Sequence, residues 1–387
     1  MKDGSIDMKK ILLITNIPNA YRIPLFNELS EQLLRLHMEL VVVFAANTYS
    51  RRKSVIDLNE CKFKYIILGS EGITPGNDEE KTYFSYKGLH KILKRENPSQ
   101  IIVSGFSSAT IKVYIYSLLN KTPFIIWSGA IHKKGRNDQW LRRKMRSFLV
   151  GKAAAFIAYG SRAKDYLVDF GADANKVTIG LNTVDTTFFK EETAKARKNL
   201  TEQSVHHLLF TGYLVPRKET DKLVEVVRLL AQKRTDFVLD IIGDGSSKTA
   251  LENQIKEQNL SNYVVFHGFK QKNELPHYMA KSTLFLFQTG FDIWGLTLNE
   301  AMAAALPCIA SVNAGAVKDL IQDGVTGFSV DYINASETVE IIDRLLNDKI
   351  KAGKIGATAS AFIEEHASIK KSASGFVDAI KLCENIK

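Results

Sequence analysis

Residues 290–311, GFDIWGLTLNEAMAAALPCIAS, decide how this chain is read. Gly295, Leu296 and Thr297 form the first turn of a helix running through Ala301, Met302 and Ala304 to Leu306; an apolar strand follows, from Pro307 to Ala310. A helix's first turn carries backbone N–H groups without intrahelical acceptors and lies at the positive end of its dipole, so it is an anion site. A diphosphate fits there. Asp292 precedes the helix and Glu300 lies inside it. Their spacing corresponds to roughly 12 Å along a helix axis, too far for two carboxylates to share a proton. They suit the two ends of one long ligand, such as a nucleotide sugar, better than an acid–base pair. The alternative is a merely buried helix with its acids solvated at the ends.

At these residues the chain resembles the family 4 retaining glycosyltransferases of the GT-B fold, whose signature is Glu, seven residues, Glu, then Ala-Met-Ala and a strand. Here the first acid is Asp292 and the second Glu300. The resemblance implies that Asp292 holds donor-sugar hydroxyls, the backbone of Gly295, Leu296 and Thr297 the diphosphate, and Glu300 the nucleotide ribose. It extends through most of the C-terminal half. In GYLVPRKETDKLVEVV, 212–227, Lys218 stands at the family's diphosphate-binding lysine, and Tyr213 stands where the family usually has arginine. Arg217, beside the lysine, is the expected substitute cation. The other reading makes Arg217 and Lys218 ordinary exposed residues of a helix start.

Gly243 and Gly245 follow a hydrophobic strand and precede an amphipathic helix. As a dinucleotide fingerprint this is incomplete, since Lys248 takes the third glycine's place. Gly243 serves either close approach of backbone to ligand or tight turn geometry. Phe269 closes the next strand, where the resemblance implies backbone contact with the nucleotide base.

Strand and helix patterns alternate along all 387 residues, and 45% apolar content is ample for two cores. The fold class expected is α/β: two doubly wound, Rossmann-like domains facing across a cleft. First-half strands are expected at 11–15, 40–45, 65–68, 101–104, 124–127 and 155–158, and the pattern restarts at Leu208. Residues 178–201 read as a linker. The boundaries expected are an acceptor-binding domain over 1–185, joined by a final helix over 368–387, and a donor-binding domain over 186–367. Cys61, Cys308 and Cys383 are isolated and without CxxC spacing, which speaks against disulfide or zinc frameworks and for a reducing, cytoplasmic setting.

In the first half, Tyr21 and Arg22 follow the first strand and either meet acceptor or phosphate or open a helix with Arg22 solvated. His132 follows the strand at 124–127 and either touches the transferred sugar, as a side chain that titrates near neutrality, or is a bystander. Net charge is +10. Lys133, Lys134, Arg136, Arg142, Arg143, Lys144, Arg146 and Lys152 accompany Trp140, Leu141, Met145, Phe148 and Leu149 at helical spacing. This basic amphipathic helix, 133–152, either lies on an anionic membrane surface, making the protein peripheral on the inner face, or packs on its own sheet. No nucleic-acid-binding module accompanies the basic patch.

There is no metal constellation and no Asp-x-Asp, so neither metal nor cofactor is expected beyond the nucleotide-diphosphate sugar itself. The activity expected from the resemblance is metal-independent retaining hexosyl transfer to a glycan, lipid-linked or other hydroxyl acceptor in cell-surface polysaccharide or glycoconjugate synthesis. Lys218, Arg217, Asp292 and His132 are the expected catalytic group. The alternatives are a nucleotide-sugar 2-epimerase of the same fold and a non-catalytic nucleotide-sugar-binding homologue.

Overall fold

The computed structural model describes residues 8–48, 56–69, 72–73, 82–133, 140–201 and 204–384. The chain divides into two compact units: 1–182 with 369–387, and 183–368.

The first unit contains β1 (Lys9–Thr15), β2 (Met38–Phe44), β3 (Lys64–Ile67), the short pair β4 (Gly72–Ile73) and β5 (Tyr83–Phe84), β6 (Gln100–Ser104), β7 (Phe124–Ser128), β8 (Ala155–Ala158) and β9 (Val177–Ile179). Seven of them form one parallel sheet in the order β3-β2-β1-β6-β7-β8-β9, whose reversal point lies between β1 and β6. The strands are apolar on both faces because both faces are covered. Leu12, Ile14, Val41, Val43, Ile101 and Val103 belong to one core, while their chain neighbours Ile11, Leu13, Leu40, Val42 and Ile102 belong to the other. The last helix, Ile369–Glu384, closes the second core, with Phe376 edge-on to Trp127 at 5.1 Å.

The second unit holds β10 (His206–Thr211), β11 (Phe237–Ile242), β12 (Val264–Gly268), β13 (Leu284–Phe287), β14 (Cys308–Ser311) and β15 (Phe328–Val330). They form a six-stranded parallel sheet in the order β12-β11-β10-β13-β14-β15, reversing between β10 and β13. Ligands of such sheets bind beyond the carboxyl ends of the strands at this reversal.

The linker expected over 178–201 is corrected. Thr178 lies in β9, and Thr186–Arg197 is a helix capped by Asp185, whose side chain accepts from Phe188 N at 3.1 Å. Its charges face outward, and Phe189 and Thr193 face inward. The division between units falls at Asn182 and Thr183, before that helix.

The basic helix is seen over Trp140–Val150, and Lys134 and Arg136 lie outside the described residues. Only Leu149 and Val150 of this helix are buried. Trp140 and Leu141 are each 67% exposed, and Met145 and Phe148 are exposed too. Packing on the unit's own sheet is therefore confined to Leu149 and Val150 at the helix's end, and is overturned for Trp140, Leu141, Met145 and Phe148.

Candidate functional site

The candidate residues of the second unit gather on the loops after β10, β11 and β13. After β10, Pro216 opens a single 3-10 turn, Pro216–Lys218, and Glu219 ends it in the left-handed region at φ 47°. The turn carries Arg217 and Lys218 to the carboxyl edge of the sheet. Lys218 is only 5% exposed, which overturns its reading as an exposed helix-start residue. Its Nζ donates to Asp292 Oδ2 at 2.7 Å and lies 5.1 Å from the centre of the Phe287 ring. Arg217 Nη1 donates to the Phe291 carbonyl at 3.0 Å and stands 3.6 Å from the same Asp292 oxygen. Two cations thus flank one carboxylate. Desolvation works against the charge on Asp292, but Lys218 and Arg217 outweigh it and hold the carboxyl below its ordinary range.

The loop bearing Asp292 is fixed from both sides. Asp292 N donates to the Asn313 carbonyl at 3.3 Å, and Gly315 N donates to the Asp292 carbonyl at 2.9 Å. Gly295 then turns the chain into the helix Leu296–Ala303 with φ 104°. A Cβ there would overlap the Phe287 ring, so both conformation and space require glycine. Gly295 is the residue before the helix and not part of its first turn; Leu296 and Thr297 supply the first helical N–H groups. Thr297 and Glu300 sit one turn apart on this helix. Thr297 Oγ1 and Glu300 Oε2 are both buried and meet no partner among the described residues. Burial pushes the Glu300 carboxyl up to about 8, with Lys272 pulling weakly the other way.

Orphaned buried polar atoms are uncommon, and each calls for a reason. Thr211 Oγ1, Gln288 Oε1 and Thr289 Oγ1 are orphaned in the same way. All three lie where β10 and β13 end, beside the helix bearing Thr297 and Glu300. The arrangement offers hydroxyls, a carboxyl, helix-start amides and two cations to something polar and anionic.

At Gly243 the close approach is made by the protein's own backbone. The glycine sits at φ 151°, and a Cβ on it would overlap the Gly212 carbonyl oxygen. Gly212 N donates to the Ile242 carbonyl at 3.0 Å and Leu214 N to the Asp244 carbonyl at 3.0 Å. The loops after β10 and β11 are zipped backbone to backbone, and the two glycines make that approach feasible. Phe269, partly exposed, follows Gly268 at the end of β12. Nearby, the Asp240 carboxylate accepts from His207 Nδ1 and His267 Nε2, each at 2.6 Å, and against the cost of burial these two imidazoles hold it below its ordinary range.

His132 belongs to the first unit. It is exposed, with Nε2 3.7 Å from Asp169 Oδ2 and its ring against Tyr166. The structure therefore joins Lys218, Arg217 and Asp292 in one cluster and Leu296, Thr297 and Glu300 on one helix, with His132 in the other unit.

Sequence reading missed the side chains of Thr211, Gln288, Thr289 and Thr297. A usable signal existed: polar residues directly after an apolar strand, as in LLFTG and LFLFQTG, occupy the sheet's carboxyl edge.

Residues 191–362 match the family of glycosyl transferases group 1. An uncharacterized 41.2 kDa protein in the cps region of Klebsiella pneumoniae is 30% identical over 178 residues, 46% of this chain and 47% of that protein. The alpha-D-kanosaminyltransferase of Streptomyces kanamyceticus is 25% identical over 206 residues, 51% of this chain and 53% of that protein. The chain thus spans about half the length of the curated relatives it matches. Among solved structures, Anabaena Alr3699/HepE in complex with UDP and glucose superposes with a TM-score of 0.74 at 19% identity, covering 96% of this chain and 99% of that one. The match to the glycosyl transferases group 1 thus covers 191–362, the greater part of the second unit, and the two Rossmann-like units share the fold of GT-B glycosyltransferases.

Proposed function

We propose that the protein moves a sugar from a nucleoside diphosphate donor to a hydroxyl acceptor with retention at the anomeric carbon, as a family 4 enzyme. The observation that carries this reading is the buried pair Thr297 Oγ1 and Glu300 Oε2, without a partner among the described residues, on a helix start that follows the loop of Asp292, Lys218 and Arg217. A nucleotide sugar satisfies all of these groups at once. Its diphosphate takes the Leu296 and Thr297 amides together with Lys218 and Arg217, its ribose hydroxyls donate to Glu300, and its base lies along Phe269. The sugar hydroxyls take Asp292, which then exchanges part of its pairing with Lys218 for the donor.

The chemistry is electrostatic. As the bond from the anomeric carbon to the diphosphate oxygen breaks, negative charge collects on that oxygen, where Lys218, Arg217 and the helix start stabilise it. The acceptor hydroxyl arrives on the face the diphosphate leaves, and its proton passes to the departing phosphate oxygen. Fixed cations in this role make a divalent ion unnecessary, and turnover should survive a chelator. The matches to a kanosaminyltransferase and to a poly(ribitol-phosphate) alpha-N-acetylglucosaminyltransferase of Staphylococcus aureus support a hexosyl donor and a polymer or glycoconjugate acceptor.

The exposed apolar face supports work at an anionic membrane surface. Beside Trp140, Leu141, Met145 and Phe148, the neighbouring helix Ser108–Asn120 exposes Ile115, Leu118 and Leu119, and Tyr114 meets Phe148 edge-on at 5.3 Å. Arg142, Lys144, Lys121 and Lys152 lie on or next to these two helices. Apolar side chains ringed by bases are what an interfacial helix pair requires. No helix among the described residues is long and apolar enough to cross a membrane, so contact would be peripheral.

The test is incubation with UDP, GDP and ADP sugars, each with and without hydroxyl acceptors. Release of nucleoside diphosphate only with an acceptor, and an NMR anomeric signal unchanged in configuration, supports transfer. Epimerised sugar without acceptor would make the protein an isomerase, and a donor bound but never consumed would make it a binding protein.

A further inference from the structure

Arg22 is a feature of the first unit that transfer, as described above, leaves without a task. It begins the helix Arg22–Leu34 directly beyond the carboxyl end of β1, yet is only 7% exposed. The solvated helix-start reading is thereby overturned. The guanidinium lies 4.5 Å from the centre of the Trp127 ring, on β7, and donates to Thr15 Oγ1 at 3.0 Å and to the Tyr159 hydroxyl at 2.6 Å. All of these partners are neutral. Burial pushes the Tyr159 phenol upward, and the Tyr86 phenol nearby likewise, so neither supplies negative charge near neutral pH. Among the described residues no carboxylate pairs with Arg22.

A buried cation without an anion is costly, and arginine cannot shed its proton to escape the cost. Two further donors are left over on these side chains: Arg22 Nε and Trp127 Nε1 are buried and reach no acceptor among the described residues. Around these donors Asn16, Tyr21, Ser104 and Tyr159 are only partly buried. The site also stands where β1, β6, β7 and β8 end, around the strand-order reversal of the first sheet, the usual ligand position in a doubly wound domain.

We propose that Arg22, Trp127 and Tyr159 form an oxyanion seat in the first unit that takes a phosphoryl group. Donors on separate side chains, an N–H each from a guanidinium and an indole with a phenol beside them, suit a three-oxygen phosphoryl group better than a planar carboxylate. The seat does not depend on glycosyl transfer. Calling its ligand the acceptor does rest on that reading: the acceptor would then be a phosphorylated molecule anchored by its phosphate, with the sugar-accepting hydroxyl further along.

The test is an NMR titration of the full chain with its tryptophan indoles labelled with nitrogen-15. The chain has three tryptophans, Trp127, Trp140 and Trp294, and Trp127→Phe assigns the relevant signal. Inorganic phosphate, added against chloride at constant ionic strength, should shift the Trp127 indole N–H downfield and saturate, leaving Trp140 unmoved. UDP should instead move Trp294, next to Asp292. Arg22→Gln should weaken phosphate binding by roughly tenfold or more, and Arg22→Lys, which keeps the charge and guards against misfolding, should weaken it less. Methyl phosphate and dimethyl phosphate distinguish a monoester terminus from a diester-linked one. A Trp127 signal indifferent to phosphate and to both esters overturns the seat. Because Trp294 and donor turnover are read separately, that failure leaves glycosyl transfer standing, and an inactive protein whose Trp127 still responds leaves the seat standing.

Discussion

Replacing Glu300 by glutamine should make the protein more stable and worse at binding a nucleotide. The folded carboxyl titrates at about 8 because it is buried, against an ordinary 4.5. Between those two values the folded chain holds a proton that the unfolded chain has lost. Fewer protons on the unfolded state mean that stability falls as pH rises, by ~1.4 kcal/mol for each pH step. The penalty is absent below pH 4.5, grows through neutrality, and levels off above pH 8. At pH 7 it amounts to about 3 kcal/mol. Glutamine has nearly the shape of the protonated acid and no proton to lose, so Glu300→Gln should recover that amount at pH 7 and almost nothing at pH 4.5. For a unit of this size each kcal/mol corresponds to ~2–4 °C, so the transition of 183–368 should rise by ~6–12 °C at pH 7. Calorimetry of both proteins from pH 5 to pH 9 measures the difference directly, and taking the difference cancels every other titrating group. UDP affinity should move the opposite way, down ~10–100-fold, through loss of a charge-assisted hydrogen bond to the ribose. Parallel melting curves across the pH range would refute the argument, as would a stabilised variant that binds UDP normally.

The same linkage predicts that UDP binding near pH 7 releases close to one proton as Glu300 ionises, measurable by isothermal titration in buffers of different ionisation enthalpy; equal heats would contradict it. Lys218→Ala should cost about 2–4 kcal/mol of transition-state stabilisation, read as kcat/KM with the preferred donor, and near-normal turnover would remove Lys218 from the chemistry. Gly243→Ala should lower the denaturation midpoint of the second unit, because its Cβ overlaps the Gly212 carbonyl, at a strain of ~1–3 kcal/mol or more; an unchanged midpoint would mean the zipped loops relax freely. Leu118→Glu with Leu141→Glu should abolish sedimentation with phosphatidylglycerol vesicles while leaving turnover of a water-soluble acceptor intact.

What the sequence discloses about this molecule tracks how local each feature is. Strands buried on both faces announce themselves as apolar runs, and six of the seven strands of the first sheet are legible that way. The seventh, Val177–Ile179, is too short to separate from its surroundings. The helix Thr186–Arg197 reads as linker because its buried residues are few and its charges many. In the second unit, the turn with Lys218 and the helix with Glu300 are contiguous segments, each readable in isolation. Their joining is not readable: the 2.7 Å pair of Lys218 with Asp292 spans 74 residues and exists only because β10 and β13 are neighbours. Gly243 shows the same limit from the other side, since a glycine reports that something comes close without saying whether it is ligand or protein. Arg22 is the extreme case. As a letter after a strand it has every reason to be solvated, and nothing within a window around it reveals Trp127 or Tyr159, more than a hundred residues away. Only the sheet order, which sets β1 near β7 and β8, turns a surface cation into a buried one without a counter-charge. Residues whose burial is imposed by topology against their own chemistry are therefore where a fold most plainly records what it was selected to hold.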